Sequence, residues 1–233
     1  MKKIIISIIL LLINAIAFNQ TIVEKTIDVK SQKSVRLDFD FADEIKISGW
    51  DKNEIYVKAS VSINDNVNND AFSLEVIENS SSISFISDIE NMKEISKNRI
   101  TIHKKDNGDR SITYNDGWHI DMDIYFEVFL PKNMKIDVQS ISGDVILKNT
   151  LGELNIGTIS GCIDIEIDEN AKVSVETSTI SGGVYTDHNI QINRNDSDRK
   201  YHFVMGRSPD FDLNGGGRSI DLETISGDIF IRK

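Results

Sequence analysis

Along most of the chain, apolar and polar residues alternate with a period of two. Val35, Leu37, Phe39 and Phe41 are separated by Arg36, Asp38 and Asp40. Ile55, Val57, Ala59, Val61 and Ile63 repeat the pattern, and Phe72, Leu74 and Val76 begin it again. That period turns successive side chains to opposite faces of a strand, one buried and one wet. Between Ile45-Lys46-Ile47 and Ile55 lies Ser48-Gly49-Trp50-Asp51-Lys52-Asn53-Glu54, whose Gly and Asp-Lys-Asn cluster reads as the turn of a hairpin. Residues 64–70, rich in Asn and Asp, read as a loop with no capacity to pack. Ser87-Asp88-Ile89-Glu90 fits a capping box, and Ile89, Met92 and Ile95 are spaced for one short helix. The longest alternation runs from Ile120 through Met122, Ile124, Phe126, Val128 and Leu130, and Pro131 stops it because proline cannot donate to a strand ladder.

Beyond that proline one phrase recurs four times. The copies are Ile136-Asp-Val-Gln-Ser-Ile-Ser-Gly-Asp-Val, Leu154-Asn-Ile-Gly-Thr-Ile-Ser-Gly-Cys-Ile, Val173-Ser-Val-Glu-Thr-Ser-Thr-Ile-Ser-Gly-Gly-Val and Ile220-Asp-Leu-Glu-Thr-Ile-Ser-Gly-Asp-Ile. Their glycines, Gly143, Gly161, Gly182 and Gly227, are 18, 21 and 45 residues apart, the last interval holding an insertion at residues 188–217. Units of this length with two short strands cannot close a core singly, but stacked neighbours share a continuous one. The fold class expected is therefore all-β: a single-stranded β-helix-like stack of short strands in the C-terminal half, preceded by antiparallel strands and hairpins. Stacking in chain order predicts inward columns of Ile141, Ile159, Ile180 and Ile225, and of Val145, Ile163, Val184 and Ile229. Each Gly would open a corner at positive φ. Ser142, Ser160, Ser181 and Ser226 would form a hydroxyl column beside it. Five positions after the glycines, Lys148, Glu166, Asp187 and Arg232 form an outer column in which Lys148 would pair with Glu166. The terminal Arg232-Lys233 would guard an open edge.

Met1-Lys2-Lys3, an apolar run broken only by Asn14, and Ala15-Ile16-Ala17 have the order of a secretory signal peptide over residues 1–17. The run is shorter than the roughly 20 residues a membrane helix needs, so cleavage is expected rather than anchoring. The mature chain, 18–233, reads as one all-β domain with a strand region at 18–131 and a Ser-Gly region at 132–233, exported to the periplasm or cell surface. Cys162 is the sole cysteine, so no intrachain disulfide can form. Loss of Lys2 and Lys3 takes the formal charge from -11 to -13. Such an acidic chain repels phosphate backbones and anionic lipid, and nucleic acid is excluded as an expected partner. The basic cluster at residues 93–110 reads as a solvated loop. With 39% hydrophobic residues and two prolines, burial alone can stabilise a core.

No catalytic, metal-binding or cofactor-binding residues emerge, and no cofactor is expected. Gly157-Thr158-Ile159-Ser160-Gly161 only superficially resembles a nucleophile elbow, its serine being fourth of five and no strand-to-helix pattern surrounding it. Asp144 and Asp228, at equivalent positions of the first and last copies, would be separated by about 14 Å or more in a sequential stack. That is too far for a glycosidase pair, which needs about 5 to 9.5 Å. Asp164, Glu166 and Asp168 share a strand face that could hold calcium, but a solvated face is the favoured reading of them. His119, Asp121 and Asp123 lack a fourth metal ligand, and Asn214-Gly215-Gly216-Gly217 is a single loop rather than a tandem calcium roll. Three positions after the repeat glycines come Ile146, Asp164, Tyr185 and Phe230, expected to point outward. Ile146, Tyr185 and Phe230 are thus the candidate contact surface, unless the insertion folds over them.

Ile47-Ser48-Gly49-Trp50-Asp51-Lys52, Phe129-Leu130-Pro131-Lys132 and Thr224-Ile225-Ser226-Gly227-Asp228-Ile229, in that order, resemble the putative-adhesin, or Toastrack, family of bacterial envelope proteins. The likeness covers nearly all of the chain after residue 17. It implies a β-helix-like fold, an exported location and a role in adhesion or envelope sensing, with no catalytic residues to transfer. Cys162 and Gly183 depart from the pattern, where Asp or Asn is more usual. The function expected is an exported, non-catalytic envelope protein, an adhesin or structural binding module whose partner is an envelope protein or a glycan. The alternatives are a carbohydrate-active enzyme on the same scaffold, using Asp164 and Glu166, or an envelope-stress sensing component.

Overall fold

Short alternating segments broken by Ser-Gly corners and Asn-rich turns make nineteen strands in the computed structural model, which describes residues 20–104, 110–192 and 210–233, the side chains of 97–118 and 191–192 excepted. The N-terminal region holds β1 (Thr21–Asp28), β2 (Ser34–Asp38), β3 (Glu44–Trp50), β4 (Glu54–Ile63), β5 (Phe72–Glu78) and β6 (Ser82–Ile89). A one-turn helix, α1 (Met92–Ile95), precedes β7 (Lys97–Lys104), β8 (Arg110–His119) and β9 (Met122–Pro131). Then come β10 (Lys135–Ser140), β11 (Asp144–Lys148), β12 (Leu154–Thr158), β13 (Ile163–Glu166), β14 (Val173–Ser181) and β15 (Val184–Thr186). β16 (Gln191–Ile192), β17 (Phe211–Leu213), β18 (Arg218–Ser226) and β19 (Ile229–Arg232) complete the order. The signal-peptide segment and most of the insertion at 188–217 lie outside the described residues, as do the side chains of most of the basic cluster.

Two sheets enclose one core. The first runs β1-β4-β9-β3-β11-β13-β19-β15 and the second β16-β17-β14-β18-β12-β10-β2-β6-β5, with β7 and β8 paired apart from both. A β-helix emerges because each rung gives one strand to each sheet. In space the parallel rungs are β6/β9, β2/β3, β10/β11, β12/β13, β18/β19 and β14/β15. Antiparallel β4 and β5 close one end, and antiparallel β17 lies against β14 at the other. Equivalent residues stack in register, so Val35, Ile136, Leu154, Ile220 and Val175 form one buried column. Ile45, Val145, Ile163 and Ile229 form another, with half-buried Val184 at its end.

Several expectations are corrected. β3 and β4 do not pair as a hairpin, because β9 lies between them, parallel to β3 and antiparallel to β4. The inner residues of β9, Ile124, Phe126, Val128 and Leu130, are fully buried, and a strand this apolar is best satisfied with a neighbour on each edge. The Trp50 indole N–H bonds the Glu54 carbonyl at 2.8 Å, closing the short connection that straddles it. The Asn-rich loop packs after all. Asn64 is fully buried, and its side-chain amide donates to the Ile95 carbonyl at 2.7 Å and to Asn68 Oδ1 at 2.8 Å. Asn69 accepts from the Ile63 N–H at 2.7 Å. Side-chain amides here supply the partners that water would otherwise give the backbone, so burial becomes possible.

The stack does not follow chain order. The C-terminal rung β18/β19 enters between β12/β13 and β14/β15, pairing with both. Its inward residues Ile220, Leu222, Ile229 and Ile231 are fully buried, whereas β15 spans three residues and is better suited to an edge. Arg232 ends an interior strand and Lys233 follows it, so neither guards an open edge. Asp144 and Asp228 stand two rungs apart, roughly 10 Å, rather than three.

The expected inward isoleucines face water: Ile141 is 39% exposed, Ile159 47%, Ile225 43% and Ile180 60%. The alternation set by Ile136 and Val138 continues one step further, to Ser140, before the corner begins, and this reverses the facing of everything at the corner. Ser140, Thr158, Thr224 and Thr179 are buried instead, and they form the inner hydroxyl column. Ser140 donates to the Phe39 carbonyl at 2.8 Å, Thr224 to the Gly161 carbonyl at 3.1 Å and Thr179 to the Gly227 carbonyl at 3.1 Å. None of the corner glycines has positive φ; Gly215 and Gly216 do. What the corner requires is close approach: a Cβ on Gly161 would stand 2.3 Å from the Gly143 carbonyl oxygen, and one on Gly227 would stand 2.0 Å from that of Gly161.

Candidate functional site: the outer faces of the stack

The parallel register assembles a row across the outside of the first sheet. Lys46, Ile146, Asp164, Phe230 and Tyr185 are successive cross-strand neighbours. All three candidate contact residues therefore lie in one row, with Asp164 separating Ile146 from the aromatic pair. Tyr185 is exposed and Phe230 half-buried, their rings stacked with centroids 5.3 Å apart and planes 17° from parallel. The Arg232 guanidinium lies 5.0 Å from the Phe230 ring centre, while its Nε donates to both Asp164 oxygens at 2.8 and 2.9 Å. That hydrogen bond and the carboxylate charge push the Arg232 pKa further up. Flat rings, a fixed guanidinium and a carboxylate together offer stacking and directional polar contacts on one surface. Where the insertion re-enters the described chain, it runs along the second sheet as β16 and β17.

The expected ion pair between Lys148 and Glu166 is replaced by the diagonal Arg232–Asp164 bridge. A single Arg232 N–H is shared between both Asp164 oxygens, and the delocalised guanidinium keeps its charge while it lies against the Phe230 ring. Of the calcium candidates, Asp164 is held by Arg232, and Asp168 accepts the Asn170 N–H at 2.8 Å, capping its own turn. His119 Nε2 stands 3.8 Å from Asp121 Oδ1. Among the described residues no group of three His, Cys, Asp or Glu side chains converges as a metal cage would require. Asn214 has φ 54 and donates to the carbonyls of Glu169 and Ala171, both at 2.9 Å, so that segment acts as a turn.

The corner aspartates bond backbone. Asp43 accepts the Ile124 N–H at 2.7 Å, Asp144 that of Cys162 at 2.7 Å and Asp228 that of Gly183 at 2.8 Å. Burial pushes the Asp43 carboxyl above the ordinary value against the opposing effect of its Ile124 bond, and Asp123 adds to the rise. Each carboxylate thus ties one rung to the next.

Two further features were not read from the sequence. Trp50 stacks on Phe129 at 5.4 Å with the Lys52 ammonium 4.3 Å from the indole centre, and Tyr56 flanks the pair at 6.2 Å. These residues meet only because β9 enters between β3 and β4. The second is the exposed isoleucine ladder, Ile141, Ile159, Ile225 and Ile180 in spatial order. Counting the strand alternation forward from Ile136 would have found it.

Among the described residues no helix is long and apolar enough to cross a membrane. No family model and no curated protein sequence matches the chain. Among solved structures, a "putative cell adhesion protein" from Clostridium sporogenes ATCC 15579 superposes with a TM-score of 0.56 at 12% identity, covering 92% of this chain and 99% of that one. A "putative adhesin" from Parabacteroides merdae ATCC 43184 aligns weakly, with a TM-score of 0.27 at 8% identity over 72% of this chain and 64% of that one. Another from Bacteroides fragilis NCTC 9343 gives 0.23 at 12% identity over 92% and 97%. The chain shares its all-β fold with the clostridial protein over nearly the whole length of both.

Proposed function

We propose that this chain is an exported, non-catalytic module of the bacterial envelope, adhesin-like and of the Toastrack type, working in the periplasm or at the cell surface. One observation carries the reading: the chemistry-bearing residues of the corners are occupied in holding rung to rung. Asp43, Asp144 and Asp228 accept backbone N–H groups, and Thr224 and Thr179 donate to backbone carbonyls. The likeness of fold to a protein described as acting in cell adhesion supports the same direction. The role left to the rigid outer faces is display, and the Ile146, Tyr185 and Phe230 row is the contact surface. Stacked rings beside the fixed Arg232–Asp164 pair suit the C–H faces and hydroxyls of a glycan.

The test is retention of the purified chain on immobilised envelope polysaccharides, with the wild type compared to Tyr185→Ala. Tyr185 is exposed at the edge of the sheet, so its loss should leave the fold intact and lower retention several-fold. Release of new reducing ends from any of these polysaccharides, abolished by Asp164→Asn or Glu166→Gln, would replace the reading with a carbohydrate-active enzyme.

A further inference from the structure

The isoleucine ladder has a feature that neither the fold nor the proposed glycan surface uses. Backbone bonds hold it in register: the Ile159 N–H bonds the Ser140 carbonyl at 3.3 Å, Ser160 the Ile141 carbonyl at 2.8 Å and Ser226 the Ile159 carbonyl at 2.9 Å. Pairing of Thr179 with Thr224 and Ser181 with Ser226 sets Ile180 beside Ile225. Three rung steps make an aliphatic ridge about 14 Å long. Together the four residues leave nearly the surface of two whole isoleucines in water, four of the ten large apolar residues so exposed among the described residues. A contiguous apolar strip of that kind on a soluble domain marks a contact site.

The strip has an acidic border along one side. A shallow groove beside it is lined by Asp40, Gln139, Gly157 and Glu223. In the two adjoining rows of the second sheet lie Asp38, Asp137, Asp221, Glu223 and Glu176, against a single cation, Arg36. Arg36 is already engaged by Asp38 at 3.1 Å and stands 3.6 Å from Asp137. Burial and the neighbouring carboxylates of Asp38 and Asp88 push the Asp40 carboxyl up, a sign that negative charge is crowded there.

The chemistry of the two stripes selects the occupant. Sugars need hydroxyl partners and flat rings, and an isoleucine row offers neither. Anionic lipid is repelled by the acidic border. A second copy laid face to face about an axis across the strip would set one acidic border against another, and about an axis along the strip it would set each border beside the partner's Asp144 and Asp228 side, with no cation but the already engaged Arg36 in either case. An extended peptide turns neighbouring side chains to opposite sides, so it cannot present an apolar and a basic stripe to the same surface. An amphipathic helix can, because its apolar stripe is flanked along its whole length by the residues beside it. We propose that the ladder of Ile141, Ile159, Ile225 and Ile180, with its border of carboxylates, is the docking site for a basic amphipathic helix of a protein partner.

The probes are three synthetic helical peptides of equal length: one with a Leu stripe flanked by Lys, one with the same stripe flanked by Glu, and one with Lys flanks and Ser in place of Leu. Binding to the purified full chain is followed by fluorescence anisotropy and by the methyl spectrum of isoleucine-labelled protein. The Leu/Lys peptide should shift the methyl signals of the four ladder residues, and the other two should bind at least about tenfold more weakly. The double variant Ile159→Ser with Ile225→Ser should lose about tenfold in affinity and melt only a few degrees lower, since nearly half of each residue is already in water. Asp221→Asn with Glu223→Gln should weaken binding and flatten its salt dependence.

Equal binding of the Leu/Glu peptide, shifts spread over isoleucines outside the ladder, or full affinity in the double variant would each overturn the proposal. So would a dimer that this variant makes monomeric, or vesicles of anionic lipid that only the wild type binds. The glycan reading stands or falls separately: Tyr185→Ala should leave peptide binding unchanged, and the double ladder variant should leave glycan retention unchanged.

Discussion

The same substitution, threonine to valine, should act with opposite sign at two buried positions two residues apart in equivalent strands. Thr224 of β18 is 1% exposed and its hydroxyl donates to the Gly161 carbonyl at 3.1 Å, across the rung boundary. Replacing that hydroxyl by a methyl removes the bond and leaves the carbonyl without this partner in a dry interior, a loss of about 1–2 kcal/mol. Thr177 of β14 is also buried, yet its hydroxyl has no hydrogen-bond partner among the described residues. It sits beside Leu222 in a column whose other members are Ile156, Val138 and Leu37, all apolar. Thr177→Val removes an unsatisfied hydroxyl and adds apolar contact, a gain of about 1 kcal/mol. For a chain of this size each kcal/mol moves the midpoint by about 2–4 °C, so Thr224→Val should melt about 2–8 °C lower and Thr177→Val a few degrees higher. Calorimetry and urea unfolding of the two variants against the wild type decide the matter. Destabilisation of similar size in both would refute the claim that the corner hydroxyls differ by their bonding and not by mere burial.

Gly161→Ala should cost more than Gly215→Ala. The first places a Cβ 2.3 Å from a backbone oxygen of the next rung, an overpacking of about 1–3 kcal/mol or more, whereas the second meets open space and strains only its own φ of 88°; urea midpoints of the two variants compare them. Tyr56, whose hydroxyl donates to Glu24 Oε1 at 2.6 Å, has its pKa pushed up to about 12 by that bond first and by desolvation and nearby charge after it. A pKa raised in the folded state means that this contact is fully present below about pH 10, the unfolded value, and is lost as pH rises through about 12. Absorbance titration at alkaline pH should show one tyrosine that Glu24→Gln returns toward the ordinary range. Deleting residues 218–233 removes the rung that joins β12/β13 to β14/β15, so hydrogen exchange should show loss of protection in β14 and β15 while β9 and β3 keep theirs. Retained protection in β14 would mean that it had found another partner.

Period-two alternation and the Ser-Gly repeat located β2 to β5, β9 to β15, β18 and β19, because a half-buried strand must alternate and little else does; β1, β6, β7, β8, β16 and β17 were not read as strands. It could not say which strands are neighbours. β3 and β4 look like a hairpin in sequence because a short polar link joins them, and nothing local to them reveals that β9, about seventy residues further on, will enter between. The facing of the corners was legible but misread. Starting the count at the recurring Ser-Gly pair put the isoleucines inside, whereas starting at the strand residues Ile136 and Val138 puts Ser140 inside and Ile141 out. An isoleucine invites an inward assignment on hydrophobicity alone, and here the geometry of the strand overrides it. The Asn-rich loop was misjudged for the converse reason, since Asn64 is buried through the partners that its amide finds and not through its own polarity.

The two departures from the adhesin-like pattern, Cys162 and Gly183, acquire a physical account only in the spatial order of the stack. Along the chain the positions after the corner glycines read Asp144, Cys162, Gly183 and Asp228, with no rhythm. Along the stack they read Asp144, Cys162, Asp228, Gly183, and each aspartate accepts the N–H of the small residue that comes next in the column. Glu44 already stands one rung, about 4.8 Å, from Asp144, and two further aspartates would extend that row of like charges; Cys162 and Gly183 break it and give each aspartate a donor. The non-sequential entry of the last rung and the loss of two aspartates are thus one arrangement. If the rungs were stacked in chain order, Asp228 would come after Gly183 and the bond from the Gly183 N–H would run the other way along the column. Cys162→Asp therefore places four carboxylates in consecutive rungs, Glu44, Asp144, position 162 and Asp228. It should lower stability at neutral pH and recover it on acidification, as protonation relieves the repulsion. A variant whose stability deficit did not shrink between neutral and acidic pH would show that the alternation has another cause.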